Sequence, residues 1–395
     1  MRLPVALALA AALAAPAAAQ DLSVPKKHAA LYRTLDARLD VFQARLPHLD
    51  PEPSLLRGAQ LGALRCEHAA DLANAARWDA ALRELEALRR AGAQALALEI
   101  CYPLLTPEFG NAGDARALLE QYANFANQVR LRDMKLLVQH DALPPLTGMA
   151  ETGRYYRGMT RQRFMRERYE EAKGIALALR PDYLTLAPEP RGVVAGLRFG
   201  VKDWRSYLRR ATGDLKRDLG EAAPPLGAGL GVWDASATLE TLAAVPGLDY
   251  IDLRSYPIVA GAQDLLERLV DWPQRVRAID PGKRVVLGAV WLYKGSSSEP
   301  FKGLPNANAV AREAFGFWSP LDVKFLRATA QAARAGGVEL MTISRPRYVF
   351  AYLDFFDPAT YRASARLLDE LAGQRAASAM ERGALTDTGR AFGGM

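Results

Sequence analysis

Ala95-Leu-Ala-Leu-Glu-Ile-Cys-Tyr102, then Asp114 to Arg130, then Lys135-Leu-Leu-Val-Gln-His140 set the pattern of this chain. The first and last segments are short apolar runs, as strands buried on both faces require. The middle segment carries Leu118, Leu119, Tyr122, Phe125, Ala126 and Val129 on one side of a 3.6-residue period, which predicts an amphipathic helix. Strand, crossover helix, strand is the unit that joins parallel neighbours.

The same rhythm runs outward in both directions. Upstream, Gly58 to Leu64 is a strand candidate, and Trp78 to Ala91 is a helix with Leu82, Leu85 and Leu88 on one face. Downstream, the helix Arg161 to Leu179 stops at Pro181, and Asp182 to Ala187 follows as strand four. Trp204, Leu208, Ala211, Leu215 and Leu219 form the next helical stripe. Gly227 to Trp233, Tyr250 to Arg254 and Arg284 to Trp291 are strands five to seven, with a mostly helical Asp264 to Ile279 before the last of them. Leu321 to Ala335 is helical and ends at Gly336-Gly337, a natural stop. Val338 to Ser344 is the eighth strand, and Pro358 to Leu371 is the closing helix.

Eight such units predict an α/β protein of the closed (β/α)8, or TIM barrel, class. A doubly wound open sheet would need a Gly-rich phosphate turn after its first strand, and none is present. The barrel is expected over 55–372. Residues 20–54 add an N-terminal helix, His28 to Leu46, and a linker marked by Pro51 and Pro53. Residues 373–395 lose periodicity and are expected to be a loose tail.

Residues 1–19 read as a secretory signal peptide: Arg2, an apolar run from Pro4 to Ala15, and Ala17-Ala18-Ala19 before Gln20. The run is short for a membrane span, and no later stretch is apolar enough to be one. The expected location is periplasmic or secreted. The formal net charge is +7. The basic residues are spread over helices such as Arg83 to Arg90 and Arg161 to Arg168, unlike a nucleic-acid-binding face, so no nucleic-acid partner is expected. The chain is expected to be a monomer. Cys66 and Cys101 are the two cysteines. They fall near the C-terminal ends of strands one and two, neighbours about 5 Å apart, within reach of a disulfide in an oxidising compartment. Two buried free thiols is the other reading.

In this architecture chemistry sits at the C-terminal ends of the strands. Those ends carry Tyr102, His140-Asp141, Glu189, Trp233-Asp234, Arg254 with Tyr256, Trp291 with Tyr293, and Arg345 with Tyr348. Carboxylates mixed with Trp and Tyr suit sugar chemistry. Glycosidic cleavage uses one carboxylic acid and a second carboxylate as nucleophile or base, and aromatic faces stack on sugar rings. The mouths of barrels are also commonly polar and aromatic whatever they do.

Leu184-Thr-Leu-Ala-Pro-Glu-Pro190 resembles the Asn-Glu-Pro signature of the clan A glycoside hydrolases, in which the Glu after strand four is the general acid/base. The resemblance puts that role on Glu189. Tyr250-Ile-Asp-Leu-Arg-Ser-Tyr-Pro257 resembles the clan's strand six, matching its tyrosine near the nucleophile with Tyr256. Arg284-Val-Val-Leu-Gly-Ala-Val-Trp-Leu-Tyr293 resembles strand seven. Two positions depart from the clan. The Asn before the acid/base is Pro188, which has no side-chain donor. The nucleophilic Glu is replaced by Ala289, or by Gly288 with a one-residue shift. Glu299 is the next carboxylate downstream.

Three outcomes stay open. The chain hydrolyses a poly- or oligosaccharide with a relocated second carboxylate such as Asp141, Asp234 or Glu299. It binds carbohydrate without hydrolysis. Or Glu189 is an ordinary ion-paired carboxylate. Tyr102, His140, Trp233, Arg254, Tyr256, Trp291, Tyr293, Arg345 and Tyr348 are the substrate-binding candidates. His140 beside Asp141 serves either as an acid/base pair or to orient a neighbour. Glu99 is expected in a structural salt bridge. The loop from Lys294 to Pro320 ends in Phe317 and Trp318; packing is expected for Phe317 and left open for Trp318. No His, Asp or Glu spacing repeats, so neither metal nor cofactor is expected.

Overall fold

The structure is a computed structural model that describes residues 23–49, 53–110, 112–143, 150–190, 192–256, 266–295 and 311–395. The segment expected to be a signal peptide, residues 1–19, lies outside them.

Eight parallel strands close into a barrel: β1 Leu56–Gln60, β2 Ala95–Tyr102, β3 Lys135–Ala142, β4 Tyr183–Thr185, β5 Leu226–Gly231, β6 Tyr250–Ser255, β7 Arg284–Val290 and β8 Leu340–Ile343, with β8 pairing back onto β1. All eight expected strands are present. Helices surround them: α1 Ala29–Gln43 precedes the barrel, and α2 Ala75–Arg90, α3 Ala112–Arg130, α4 Ala150–Tyr156, α5 Arg161–Leu179, α6 Val201–Leu219, α7 Ser236–Ala243, α8 Arg268–Ile279 and α9 Ser319–Ala335 lie between its strands in sequence. No described helix is long and apolar enough to cross a membrane.

The barrel interior is layered, as the two-residue strand period demands. An apolar floor is made by Leu56, Ala95, Ala97, Leu137, Tyr183, Tyr250, Val286 and Leu340. Above it lies a polar layer. Gln60 Nε2 donates to Gln139 Oε1 (3.0 Å), and Gln139 Nε2 donates to Asp252 Oδ2 (2.9 Å) and to the Gly288 carbonyl (3.2 Å). Thr185 Oγ1 donates to Asp252 Oδ2 (2.9 Å) and accepts from the Tyr250 hydroxyl (2.8 Å). The glycine-rich β5 belongs to this packing. A Cβ at Gly227 would collide with the Tyr250 ring, so the strand leaves that ring its place.

Helix α1 packs on α9 through Leu35, Leu39 and Phe42, all buried. Lys324 pairs with Asp36 and, at 2.8 Å, with Asp40. Just ahead of it, His28 stacks on Phe317 (centroids 5.4 Å) and meets Phe355 edge-on. Burial, with Lys27 and Arg312 nearby, lowers the His28 pKa to about 4. In the unfolded chain the imidazole titrates near 6.5. Its contribution to stability is therefore complete above pH 6.5 and is lost as pH falls toward 4. Raised buried carboxyls act in the opposite sense: burial lifts Asp322 to about 6, so its contribution is lost as pH rises. The comparison that isolates the imidazole is wild type against His28→Phe. Urea melts should show the wild type losing more stability than the variant between pH 6.5 and 4. Parallel pH profiles would contradict this.

The expected loose tail is corrected. Residues Ala365–Arg382 form α10 and Asp387–Gly393 form α11, with Thr388 and Phe392 fully buried. The closing helix expected over Pro358 to Leu371 is split, and Ser364 caps the start of α10 by accepting the Leu367 N–H. The buried stripe of α10 is Leu368, Ala372, Ala376 and Ala379, so beyond one leucine it is all alanine. Alanine at helical spacing permits close packing while leaving little hydrophobic signal in the sequence. The chain end is fixed too: the Arg57 guanidinium donates to the Met395 carbonyl.

Candidate functional site

Strand alternation decides which side chains reach the mouth. On β2 and β3, Glu99, Cys101, Gln139 and Asp141 share the inward face, with Glu99 beside Gln139 and Cys101 beside Asp141. His140 and Tyr102 therefore point outward. His140 Nε2 lies 2.9 Å from Glu171 Oε2 on α5, and the Tyr102 hydroxyl donates to Glu167 Oε2 at 2.6 Å. Both are fully buried behind the barrel wall, which corrects the expectation that they face substrate. Burial, with the nearby Arg168 charge, lowers the His140 pKa, consistent with a neutral structural imidazole.

Cys66 and Cys101 are joined by a disulfide with Cα atoms 5.9 Å apart, tying the β1 connection to β2. The Cys66 N–H faces Glu99 Oε2 at 3.5 Å. Glu99 thus takes a backbone donor, and no salt bridge to it is present among the described residues.

Glu189 follows β4 at the mouth, and its Oε1 accepts from Arg254 Nη1 at 2.9 Å. The two side chains are 15% and 6% exposed, so the pair is little screened by solvent. Arg254 stands on the inward face of β6, two residues above Asp252. Burial would lower its pKa, but the charges of Glu189 and Asp252 outweigh that and raise it; Asp141 acts in the same direction. Arg254 Nε and Nη2 are buried without a hydrogen-bond partner among the described residues.

The β6–β7 register shifts between Leu253 and Arg254, and Ala289 becomes the partner of Arg254. The bulge turns both Gly288 and Ala289 toward the interior. A Cβ at Gly288 would collide with Asp252 Oδ1 and Gln139 Nε2. The space that a β7 side chain would fill at that level therefore belongs to a carboxyl reaching across from β6. Burial raises the Asp252 pKa despite Arg254 and its two side-chain donors.

Asp234 ends the turn after β5 and accepts the Gly231 N–H at 2.9 Å. The Gly229 N–H donates to the Ala187 carbonyl at 2.8 Å, so the segment that leads to Glu189 runs alongside β5. Burial raises the Asp234 pKa, and the Glu189 charge adds to the rise. Asp141 accepts its own neighbour's N–H, that of Ala142, at 2.8 Å.

Trp233 and Tyr256, both half-buried, make an aromatic wall with ring centroids 5.8 Å apart. Trp291, Tyr293 and Tyr348 are buried, with Trp291 tilted against Tyr348 and Tyr348 stacked on Tyr352. Arg345 pairs with Glu313 at 3.5 Å. Phe317 and Trp318 are both buried, and Trp318 Nε1 donates to the Arg312 carbonyl. Glu299 lies outside the described residues. Among the described residues no group of three or more His, Cys, Asp or Glu could hold a metal ion.

Sequence reading missed the polar layer of Gln60, Gln139, Thr185 and Asp252. Its signal was the inward alternation Tyr250, Asp252, Arg254 on one strand. It also missed that Arg254 is the partner of Glu189, because strand order alone does not fix side-chain reach.

No family profile matches the chain, and no curated protein matches its sequence. Solved structures do resemble it. The exo-beta-1,4-mannosidase Op5Man5 from Opitutaceae bacterium strain TAV5 is similar at a TM-score of 0.55 and 13% identity, over 87% of this chain and 59% of that chain. This chain thus spans less than two thirds of that protein. GH5_18 from Streptomyces cattleya is similar at a TM-score of 0.48 and 15% identity, over 87% and 88% of the two chains. PbGH5A, a glycoside hydrolase family 5 enzyme from Prevotella bryantii B14, is similar at 0.43 and 12%, over 75% and 86%. The likeness is one of fold, a closed (β/α)8 barrel.

Proposed function

We propose that this barrel hydrolyses a glycosidic bond in a poly- or oligosaccharide, with Glu189 and Asp234 as its two carboxyl groups. The observation that carries the reading is their unequal surroundings at one mouth. Glu189 is ion-paired to a buried guanidinium, which suits a carboxylate acting as base. Asp234, within reach of its charge, is raised by burial and by that same negative charge, which suits an acid. In such a step Glu189 takes a proton from water as the water oxygen bonds to the anomeric carbon. The C–O bond to the leaving sugar breaks, and Asp234 supplies the proton to that oxygen. This is the inverting route, which needs no nucleophile on β7 and tolerates a carboxyl separation of about 6.5 to 9.5 Å. Trp233 and Tyr256 would stack on the sugar ring, and Arg254 would position Glu189. The expected signal peptide and the disulfide support action outside the cytoplasm, in the periplasm or beyond.

A second reading, carbohydrate binding without hydrolysis, is favoured by one observation: Ala289 occupies the register position beside Arg254. One experiment separates the two. β-1,4-Mannan, suggested by the neighbour's name, is offered with xylan, soluble cellulose and their oligosaccharides, and both reducing ends and binding are measured. Hydrolysis by the wild type with anomeric inversion, reduced about 10³-fold or more in Glu189→Gln and in Asp234→Asn, supports the proposal. Saturable binding with no release of reducing ends supports the second reading. Neither binding nor release removes both.

A further inference from the structure

The β8 connection runs from the C-terminal end of its strand, on the same side of the barrel as Glu189. It contributes Arg345 and Tyr348 and then continues to Phe356 and Tyr361, which the site does not use. These two are 50% and 64% exposed, and no other aromatic side chain is found among the exposed large hydrophobics of the described residues. A chain that buries or half-buries its other described aromatics thus leaves two open within one short stretch. Each meets the buried Phe355 edge-on, at centroid separations of 5.4 and 6.1 Å and interplanar angles of 86° and 78°. No other ring lies stacked on either among the described residues.

The stretch that carries them is fixed by its own hydrogen bonds. Asp354 Oδ1 accepts the Phe356 N–H and Asp357 Oδ1 accepts the Ala359 N–H, both at 2.9 Å. The Thr360 hydroxyl lies 2.7 and 2.9 Å from the carbonyls of Asp354 and Asp357. The Leu353 N–H donates to the Ala314 carbonyl at 2.7 Å, anchoring the base of the stretch. Rings held in advance lose little entropy when they bind.

We propose that Phe356 and Tyr361 form a second saccharide-binding platform on the rim, taking sugar rings of a chain that extends out of the central mouth. The proposal rests on the saccharide reading given above. Two separated rings flanked by Asp354, Asp357 and Arg362 match a ligand with apolar ring faces and hydroxylated edges. A protein-docking surface of this size would present a more continuous apolar patch.

The test is the double variant Phe356→Ala/Tyr361→Ala, compared with wild type on polymers and on di- to tetrasaccharides of the panel named above. Both residues are exposed, so the thermal midpoint should stay unchanged, and that is checked first. Expected is an affinity for polymer weaker by about tenfold, with short oligosaccharides bound as before. Equal affinity of variant and wild type for polymer overturns the platform while leaving the central site standing. So does an equal loss on short and long ligands. Absence of any saccharide binding by the wild type overturns the platform together with the reading it rests on.

Discussion

Arg254→Met is expected to lower the unfolding free energy by about 3 kcal/mol, the cost of stranding one partner of a buried ion pair. Arg254 and Glu189 are 6% and 15% exposed on their side chains, so solvent offers little compensation when the guanidinium is removed. Asp252, directly beneath on the same strand, loses its cation as well. Arg254→Lys should recover only part of the loss, because an ammonium carries the charge without the planar fork that reaches Glu189 Oε1. The proposed hydrolysis should fall in both variants, since Glu189 is no longer positioned. Urea unfolding supplies the measurement. A loss below about 1 kcal/mol for Arg254→Met would mean that the pair behaves like an exposed one and that the mouth is wetter than its burial implies.

Gly288→Ala should be at least as damaging, at about 3 kcal/mol or more, although it adds a single methyl group. Its Cβ would collide with Asp252 Oδ1 and Gln139 Nε2, and neither can move freely. Asp252 is fixed by Gln139 and Thr185, and Gln139 is fixed by Gln60. Accommodation therefore means overpacking a closed barrel and breaking a buried hydrogen bond. In an Asp252→Ala background the nearer obstacle is gone and Gln139 Nε2 is released from the carboxylate that holds it, so the same methyl should cost much less. A double-mutant cycle measures this coupling. Additive effects would show that Gly288 is required for its backbone and not for the carboxyl it faces.

The barrel was legible because parallel strands buried on both faces must be apolar and crossover helices must be amphipathic. Lys135 to His140 and Arg284 to Trp291 show the first requirement, and Asp114 to Arg130 the second. The C-terminal helices were not legible, since Ala372, Ala376 and Ala379 pack by smallness rather than by hydrophobic contrast. At the site, the two-residue period of a strand could have separated His140 from Gln139 and Asp141. A motif-level reading treats adjacent residues as one feature and so put His140 at the mouth together with Asp141.

The sequence by itself determined the eightfold strand–helix order, the end of the barrel where chemistry collects, and the absence of a carboxylate at Gly288 and Ala289. These follow from local periodicity and from residue identity, which need no partner in space. Only the tertiary structure decided that Arg254 holds Glu189, that Asp252 fills the interior opposite Gly288, and that the Glu189 charge acts on Asp234. Those relations depend on strand register, on the β7 bulge and on burial, which are set by how distant segments close the barrel.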